Sequence, residues 1–313
     1  MNKKIHELQD GDKLRIKLLI SQVNKGVTNK GAPYLSMVLQ DKSGTIDAKY
    51  WNVSEEYLDA YKPGMICEFG VDVISHNKQL QIRIQNISIL NRKDEDLAEY
   101  VRSSSIPKTQ LKEEIYGAID TMKNAIYRNL TTALLEDCDL DFFAYPAASR
   151  IHHDFVGGLA THVLGMMKLG EYFATLYPML DRDLLISGII VHDIGKLTEL
   201  SGPVITEYTL EGKLLGHISI MQAKIAQKAE QLGYSGEEVT LLKHMVLAHH
   251  GEYEDGSPVM PMIPEAVMLH YIDYIDHRMN IMDKEFVKTQ SGDFTQRIFA
   301  MENRSFYKAK NKE

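Results

Sequence analysis

Two hydrophobic periods divide the chain. From Lys13 to Leu18 apolar and charged residues alternate, which puts Leu14, Ile16 and Leu18 on one face of a strand and Lys13, Arg15 and Lys17 on the other. Asn29-Lys30-Gly31-Ala32-Pro33 breaks the run. Further strands are predicted over Tyr34–Gln40 and Thr45–Trp51, joined by the tight turn Asp41-Lys42-Ser43-Gly44. Ser54–Tyr61 reads as a short helix stopped by Lys62-Pro63-Gly64. Met65–Val73 and Gln79–Leu90 supply two more strands, and in the last Leu80, Ile82 and Ile84 alternate with Gln81, Arg83 and Gln85. From Leu111 the period becomes helical: Leu111, Ile115, Ile119, Met122, Ile126 and Leu130 follow steps of three and four. Helix is expected to about residue 287.

The expected fold is therefore multidomain, with separate β and α parts. Five strands fill residues 1–90, a polar linker spans 91–110, an all-helical domain covers 111–290, and 291–313 is a C-terminal segment with a frayed basic tail, Tyr307–Lys312. Five short strands with a helix between the third and fourth is the order of an OB-fold barrel. The stretch from Gly31 through Tyr34, Asp41 and Gly44 to Ile46 resembles the OB-fold nucleic-acid-binding family. In such a barrel Arg15, Lys17, Tyr34, Lys49, Trp51 and Arg83 are the candidate contacts, cations tracking phosphates and aromatics stacking on bases. The plainer alternative is a solvated charged face and core aromatics.

Composition narrows the setting. With 313 residues, 44% hydrophobic and 25% charged, the chain is that of an ordinary globular protein long enough for two cores. Cys67 and Cys138 lie far apart without ligand spacing and read as reduced thiols of a cytoplasmic protein. The N-terminus has no apolar signal core, and no apolar run reaches membrane-spanning length. The net charge of −8 argues against nucleic acid until it is resolved by segment. Residues 1–90 hold 12 Lys and Arg against 10 Asp and Glu; residues 91–313 hold 23 against 33. An acidic domain still binds phosphates when metal ions carry the local positive charge.

The candidate chemistry centres on Val191-His192-Asp193-Ile194-Gly195-Lys196. The apolar run Leu184–Val191 reads as a buried helix that delivers His192 and Asp193 into the interior, where an ionised Asp needs a partner or a cation. On this stretch alone two readings stand: a metal-binding pair, or a helix end in which His192 meets the dipole and Gly195 caps. Ten of the twelve histidines fall between residues 152 and 277. His162 shares a helical face with Leu159 and Met166, and His217 opens an apolar helix. His249-His250 ends a helix that starts with the capping box Ser235-Gly236-Glu237-Glu238, with His244 one turn earlier. Pro264 begins a helix that aligns His270, Asp273 and His277. Inward imidazoles and carboxylates on several helices suit first-row divalent ions.

In their order, His162, His192-Asp193, His217, His249-His250 and Asp273, with Gly195-Lys196 after the His-Asp pair, resemble the HD-domain metal-dependent phosphohydrolases. An OB-fold followed by this domain resembles the YhaM family of 3′→5′ exoribonucleases. The resemblance implies two divalent ions, Mn²⁺ first and Co²⁺, Fe²⁺ or Mg²⁺ open, bridged by Asp193. One would be held by His162, His192, Asp193 and Asp273, the other by Asp193, His217, His249 and His250; His244 and Asp276 stay open as alternatives. Lys196 would sit on a phosphate, and His152 and His153 at the substrate entrance. The implied activity releases nucleoside 5′-monophosphates from the 3′ end of single-stranded RNA, with single-stranded DNA and homo-oligomerisation open. A nucleotidase or phosphodiesterase for small nucleotides and a non-catalytic RNA-binding protein are the competing readings.

Overall fold

The structure is a computed structural model that describes residues 3–310 apart from 29, 77–78, 92–94, 96–98, 102, 148–154 and 203–206. The chain forms two compact units, Met1–Ser103 and Ser104–Glu313.

The first unit is a closed barrel of β1 (Lys13–Val27), β2 (Pro33–Asp41), β3 (Gly44–Trp51), β4 (Ile66–His76) and β5 (Gln79–Ile89) in the order β1-β2-β3-β5-β4. Strand β1 closes it by pairing twice: Lys13–Leu19 runs antiparallel to β4, and Leu19–Val27 runs antiparallel to β2 with a bulge between Ile20 and Gln22. β3 and β5 pair in parallel. This is the OB topology expected from the strand order. Ile16, Leu18, Leu35, Met37, Leu39, Phe69, Val71 and Ile82 fill the interior, each burial contributing roughly 1.5–3 kcal/mol. Leu80, at the start of β5, is 37% exposed and lies off the core despite its place in the alternation. The helix expected over Ser54–Tyr61 is only a 3₁₀ turn, Glu55–Tyr57. None of its residues is buried, and Pro63-Gly64 follows before a second turn can form.

The stretch read as a linker is partly fastened to the barrel. Glu95 accepts from Lys17 at 2.6 Å and from the Tyr100 hydroxyl, Glu99 accepts from Lys4 and Lys42, and Tyr100 and Val101 are buried. Acidic composition signalled solvation; the lysines that pair with it lie some 60 to 95 residues upstream.

The second unit contains α1 (Lys108–Asp120), α2 (Ala125–Glu136), α3 (Asp139–Phe142), α4 (Gly158–Leu176), α5 (Arg182–Val191), α6 (Lys196–Glu199), α7 (Leu210–Gln231), α8 (Glu237–Ala248) and α9 (Pro264–Lys288). Helix α5 is buried from Asp183 to Val191 and packs against α2, α4, α8 and α9, so it is the centre of the bundle. Its N-cap Asp181 accepts from the Asp183 and Leu184 amides. The apolar stripe from Leu111 is interrupted at Lys123-Asn124, whose amides donate to Asp183 at 2.6 and 2.8 Å. Helix α2 therefore starts in a new phase and buries Tyr127 in place of Ile126.

Two further expectations change and one holds. The capping box before α8 does not form: the N-cap is Gly236 at φ 107°, with no side-chain cap. His217 opens a helix as expected: α7 is two helical segments joined at a kink, Gly216 (φ 70°, ψ 155°), and His217 is the first residue after it. The tail up to residue 310 is docked rather than frayed. The Gly292 amide donates to the Lys308 carbonyl, and the Lys308 ammonium donates to the Phe286 and Thr289 carbonyls at 2.6 and 2.8 Å, neutralising the C-terminal end of α9.

Candidate metal centre

Two helix ends meet at the centre of the bundle in the same way. His192 is the C-cap of α5 and His249 the C-cap of α8. Each ring turns back on its own helix, Nδ1 donating three residues upstream: His192 to the Ile189 carbonyl at 2.8 Å, His249 to the Val246 carbonyl at 2.7 Å. Each Nε2 then points away from its helix, and the negative ends of two helix dipoles converge where a cation would sit. His217 approaches from the α7 kink with Nδ1 on the Glu199 carboxylate at 3.2 Å, and the His250 Nδ1 donates to the Asp255 carbonyl at 2.8 Å. His162, on α4, places Nδ1 2.6 Å from Asp276 and Nε2 3.2 Å from Asp273, both on α9. Five imidazoles thus have one nitrogen fixed by an oxygen acceptor, the outer arrangement that sets a ligating histidine's tautomer and ring angle.

Asp193 stands between them. Its Oδ2 lies 2.6 Å from the Lys196 ammonium and 3.3 Å from His192 Nε2; its Oδ1 lies 3.5 Å from His217 Nε2 and 3.9 Å from His249 Nε2. Burial alone would raise its pKa, but Lys196, His192 and His217 outweigh this and hold the carboxyl well below the usual range. Burial and the neighbouring imidazoles lower the His249 pKa, so the ring stays neutral and able to ligate. Burial also opposes charge on His162, yet Asp273 and Asp276 together raise it to about 10. Among the described residues Asp193 Oδ1 and the Nε2 atoms of His192, His217 and His249 are buried without a hydrogen bond. Four unpartnered polar atoms in one buried cluster are costly in the metal-free chain and are what a metal needs. The donors fall into three overlapping groups, His162-His192-Asp193, His192-His249-Asp273 and His217-His249-His250. The residues present fit divalent ions held by nitrogen and oxygen.

All seven sequence-expected ligands, His162, His192, Asp193, His217, His249, His250 and Asp273, enter this cluster, and Lys196 borders it through Asp193. His244 does not: its Nε2 accepts from the Met262 amide at 3.0 Å. Asp276 orients His162, while Asp273 faces its other nitrogen. His152 and His153 lie outside the described residues. Glu199 went unnoticed in the sequence. It holds His217 by ring and by backbone amide, and its only sequence signal is an acidic residue three positions after Lys196. Gly195 does not cap α5, whose C-cap is His192; it is the N-cap of α6 and also has a steric role, since a Cβ there would lie 2.1 Å from the His217 carbonyl oxygen. That closeness lets the His-Asp turn reach α7. A cavity of about 400 Å³ opens onto Asp193, Lys196, His250 and Asp273. An apolar groove beside Met179 and Met262 is larger, about 640 Å³, but holds no imidazole.

On the barrel, the six expected nucleic-acid contacts separate into two sets. Tyr34, Lys49, Trp51 and Arg83 lie on neighbouring positions of β2, β3 and β5: Tyr34 pairs with Trp51, and Lys49 pairs with Arg83. The Tyr34 and Trp51 rings are 4.7 Å apart, the Lys49 ammonium lies 5.2 Å from the Tyr34 ring centre, and Trp51 is 42% exposed. Arg15 and Lys17 lie on β1 beside β4 and are ion-paired, with Glu68 at 3.1 Å and Glu95 at 2.6 Å.

Residues 159–278 match the HD domain family. The second OB-fold domain of replication protein A from Methanococcus maripaludis is 28% identical, covering 29% of this chain and 97% of that one, at TM-score 0.25. A mitochondrial single-stranded DNA binding protein from S. cerevisiae, Rim1, is 18% identical over 26% of this chain and 97% of its own, at TM-score 0.22. The barrel's assignment rests on its own strand order. Along the whole chain, the 3′-5′ exoribonuclease YhaM of Geobacillus sp. (strain WCH70) is 45% identical over 309 residues, 98% of this chain and 95% of the relative. By that full-length identity the chain belongs to the YhaM family.

Proposed function

We propose that the protein is a divalent-metal-dependent 3′→5′ exoribonuclease that removes nucleoside 5′-monophosphates from the 3′ end of single-stranded RNA in the cytoplasm. The observation that carries this reading is the set of four buried, unpartnered ligand atoms around Asp193, in a chain whose full-length relative is named for that activity. Two ions, Mn²⁺ being the one to test first, would be held by His162, His192, Asp193 and Asp273 and by Asp193, His217, His249 and His250. When bound they supply charge neutralisation at phosphorus and activation of water.

The chain's own groups do the rest. Lys196, 14% exposed, borders the cavity and offers its ammonium to a phosphate oxygen once cations share Asp193. Glu199 and Asp276 keep His217 and His162 in one orientation. The helix walls exclude bulk water from the ligands, which strengthens each electrostatic contact. Tyr34 and Trp51 form a stacking platform for bases, with Lys49 and Arg83 beside it for phosphates. The ion pairs of Arg15 and Lys17 leave them a smaller share.

The test is incubation of 5′-labelled single-stranded RNA with the metal-loaded protein. A ladder shortening from the 3′ end is expected. Cleavage of small nucleotides alone would assign the site to a nucleotidase, and no cleavage of either would leave a binding protein.

A further inference from the structure

The cavity over the metal centre has a second wall. Beside Asp193 and Lys196 the cavity lining includes Tyr274 and Arg278 of α9 and Ala300 and Glu302 of the C-terminal segment. The Arg278 guanidinium lies over the Tyr274 ring, 4.4 Å from its centre. Both its terminal nitrogens meet the Glu302 carboxylate, Nη1 at 3.2 Å and Nη2 closer still, and Nη1 also reaches the Met301 sulfur at 3.3 Å. Glu302 is shared with Arg304. Glu302 and Asn303 are both in the left-handed backbone region, at φ 51° and 57°, where L residues are held only by their surroundings. A planar guanidinium stacked on an aromatic ring and gripped through two nitrogens is arranged as it would be for a phosphate. Here a carboxylate of the same chain fills that position.

We propose that Arg278 binds the RNA phosphate one nucleotide upstream of the reacting one, and that Glu302 is an intramolecular stand-in which that phosphate displaces. Asp273 and Arg278 are five residues apart on one helix, about 7.5 Å along its axis at 1.5 Å per residue, so Arg278 serves a phosphate other than the one at the ligands. Arg278 is a binding residue that sets the preference for a chain over a single linkage. Glu302 tunes access to it. The inference rests on the exoribonuclease reading.

The experiment compares two dinucleotide substrates in the full-length, manganese-loaded protein. NpN carries only the scissile phosphate; pNpN adds the upstream phosphate. The wild type should prefer pNpN in kcat/KM by about tenfold or more, the size of a charge-assisted contact. Arg278→Ala should bring the ratio to about one, and Arg278→Lys should restore part of it. Glu302→Gln should lower KM for pNpN severalfold without lowering kcat, and should do nothing to the ratio in an Arg278→Ala background. A ratio unchanged in an Arg278→Ala protein that melts like the wild type, or a raised KM for pNpN in Glu302→Gln, overturns the proposal. A general loss of fold lowers both substrates together and leaves the ratio in place, so it does not imitate the expected result. Failure of the wild type to cleave either dinucleotide or longer RNA would instead remove the exoribonuclease reading.

Discussion

Glu199→Ala tests whether the outer hydrogen bonds of the metal centre do what their geometry says. Glu199 Oε1 takes two donors from one residue, the His217 amide at 3.1 Å and the His217 ring Nδ1 at 3.2 Å. Burial would raise the Glu199 carboxyl, yet the His217 contacts lower it, so the carboxylate is ionised and accepting. Its removal frees the ring to rotate or change tautomer, and Nε2 no longer faces Asp193. Loss of such an outer partner typically costs ten- to a hundredfold in metal affinity, about 1.4–2.7 kcal/mol. The orphaned His217 amide should cost a further ~1–3 kcal/mol of fold stability. Glu199→Gln keeps an acceptor oxygen and should lose less than about tenfold in affinity. Calorimetric titration of Mn²⁺ into metal-free protein reads the first quantity and thermal melting of the same samples the second. A Glu199→Ala protein that melts lower but binds Mn²⁺ with wild-type affinity and stoichiometry would refute the role of His217 as a ligand.

Tyr34→Ala and Trp51→Ala should each weaken binding of long single-stranded RNA by ~1–3 kcal/mol and leave bound metal unchanged, as read by fluorescence anisotropy beside metal analysis. Arg15→Ala and Lys17→Ala should weaken it less, because each cation is already engaged by a carboxylate of the barrel unit; the reverse ranking would move the strand to the β1–β4 side. Lys196→Ala should retain its metal and slow turnover at least about tenfold, since a cation is removed rather than a ligand; loss of metal would make Lys196 structural. Burial pushes the thiols of Cys67 and Cys138 up to about 11 and about 12. Thiolate forms only as pH passes those values, so at pH 8 iodoacetamide should label native protein at least about a hundredfold more slowly than free cysteine. Rapid labelling before unfolding would contradict the burial.

Much of this was legible because period and spacing are local. Alternation placed β2 to β5 within a few residues and fixed the start of β1, which runs on to Val27 beyond the alternating Lys13–Leu18; steps of three and four brought His162 inward and set Asp273 on the stripe of α9. What escaped was non-local. The helix at Ser54 failed for want of a buried face, and the break at Lys123-Asn124 depends on Asp183, some 60 residues away. The fastening of Glu95 and Glu99 depends on lysines far upstream in the sequence, Lys17 and Lys4. At the site, helical spacing could not choose between Asp273 and Asp276, which lie three residues apart; only the fold shows that they meet opposite nitrogens of His162. Likewise His244 shares a helix with His249 but turns to the Met262 amide. Glu199 was silent because a single acidic residue carries no period.

On the proposed function, one buried carboxylate, Asp193, joins two metal positions and the reaction depends on it. Native mass spectrometry of manganese-loaded wild type and Asp193→Ala, run beside the 5′-labelled RNA assay, measures this directly. The wild type should carry two ions and shorten RNA from the 3′ end. The folded variant should carry at most one ion and leave the RNA at full length. A folded Asp193→Ala protein with two ions and wild-type turnover would contradict the account.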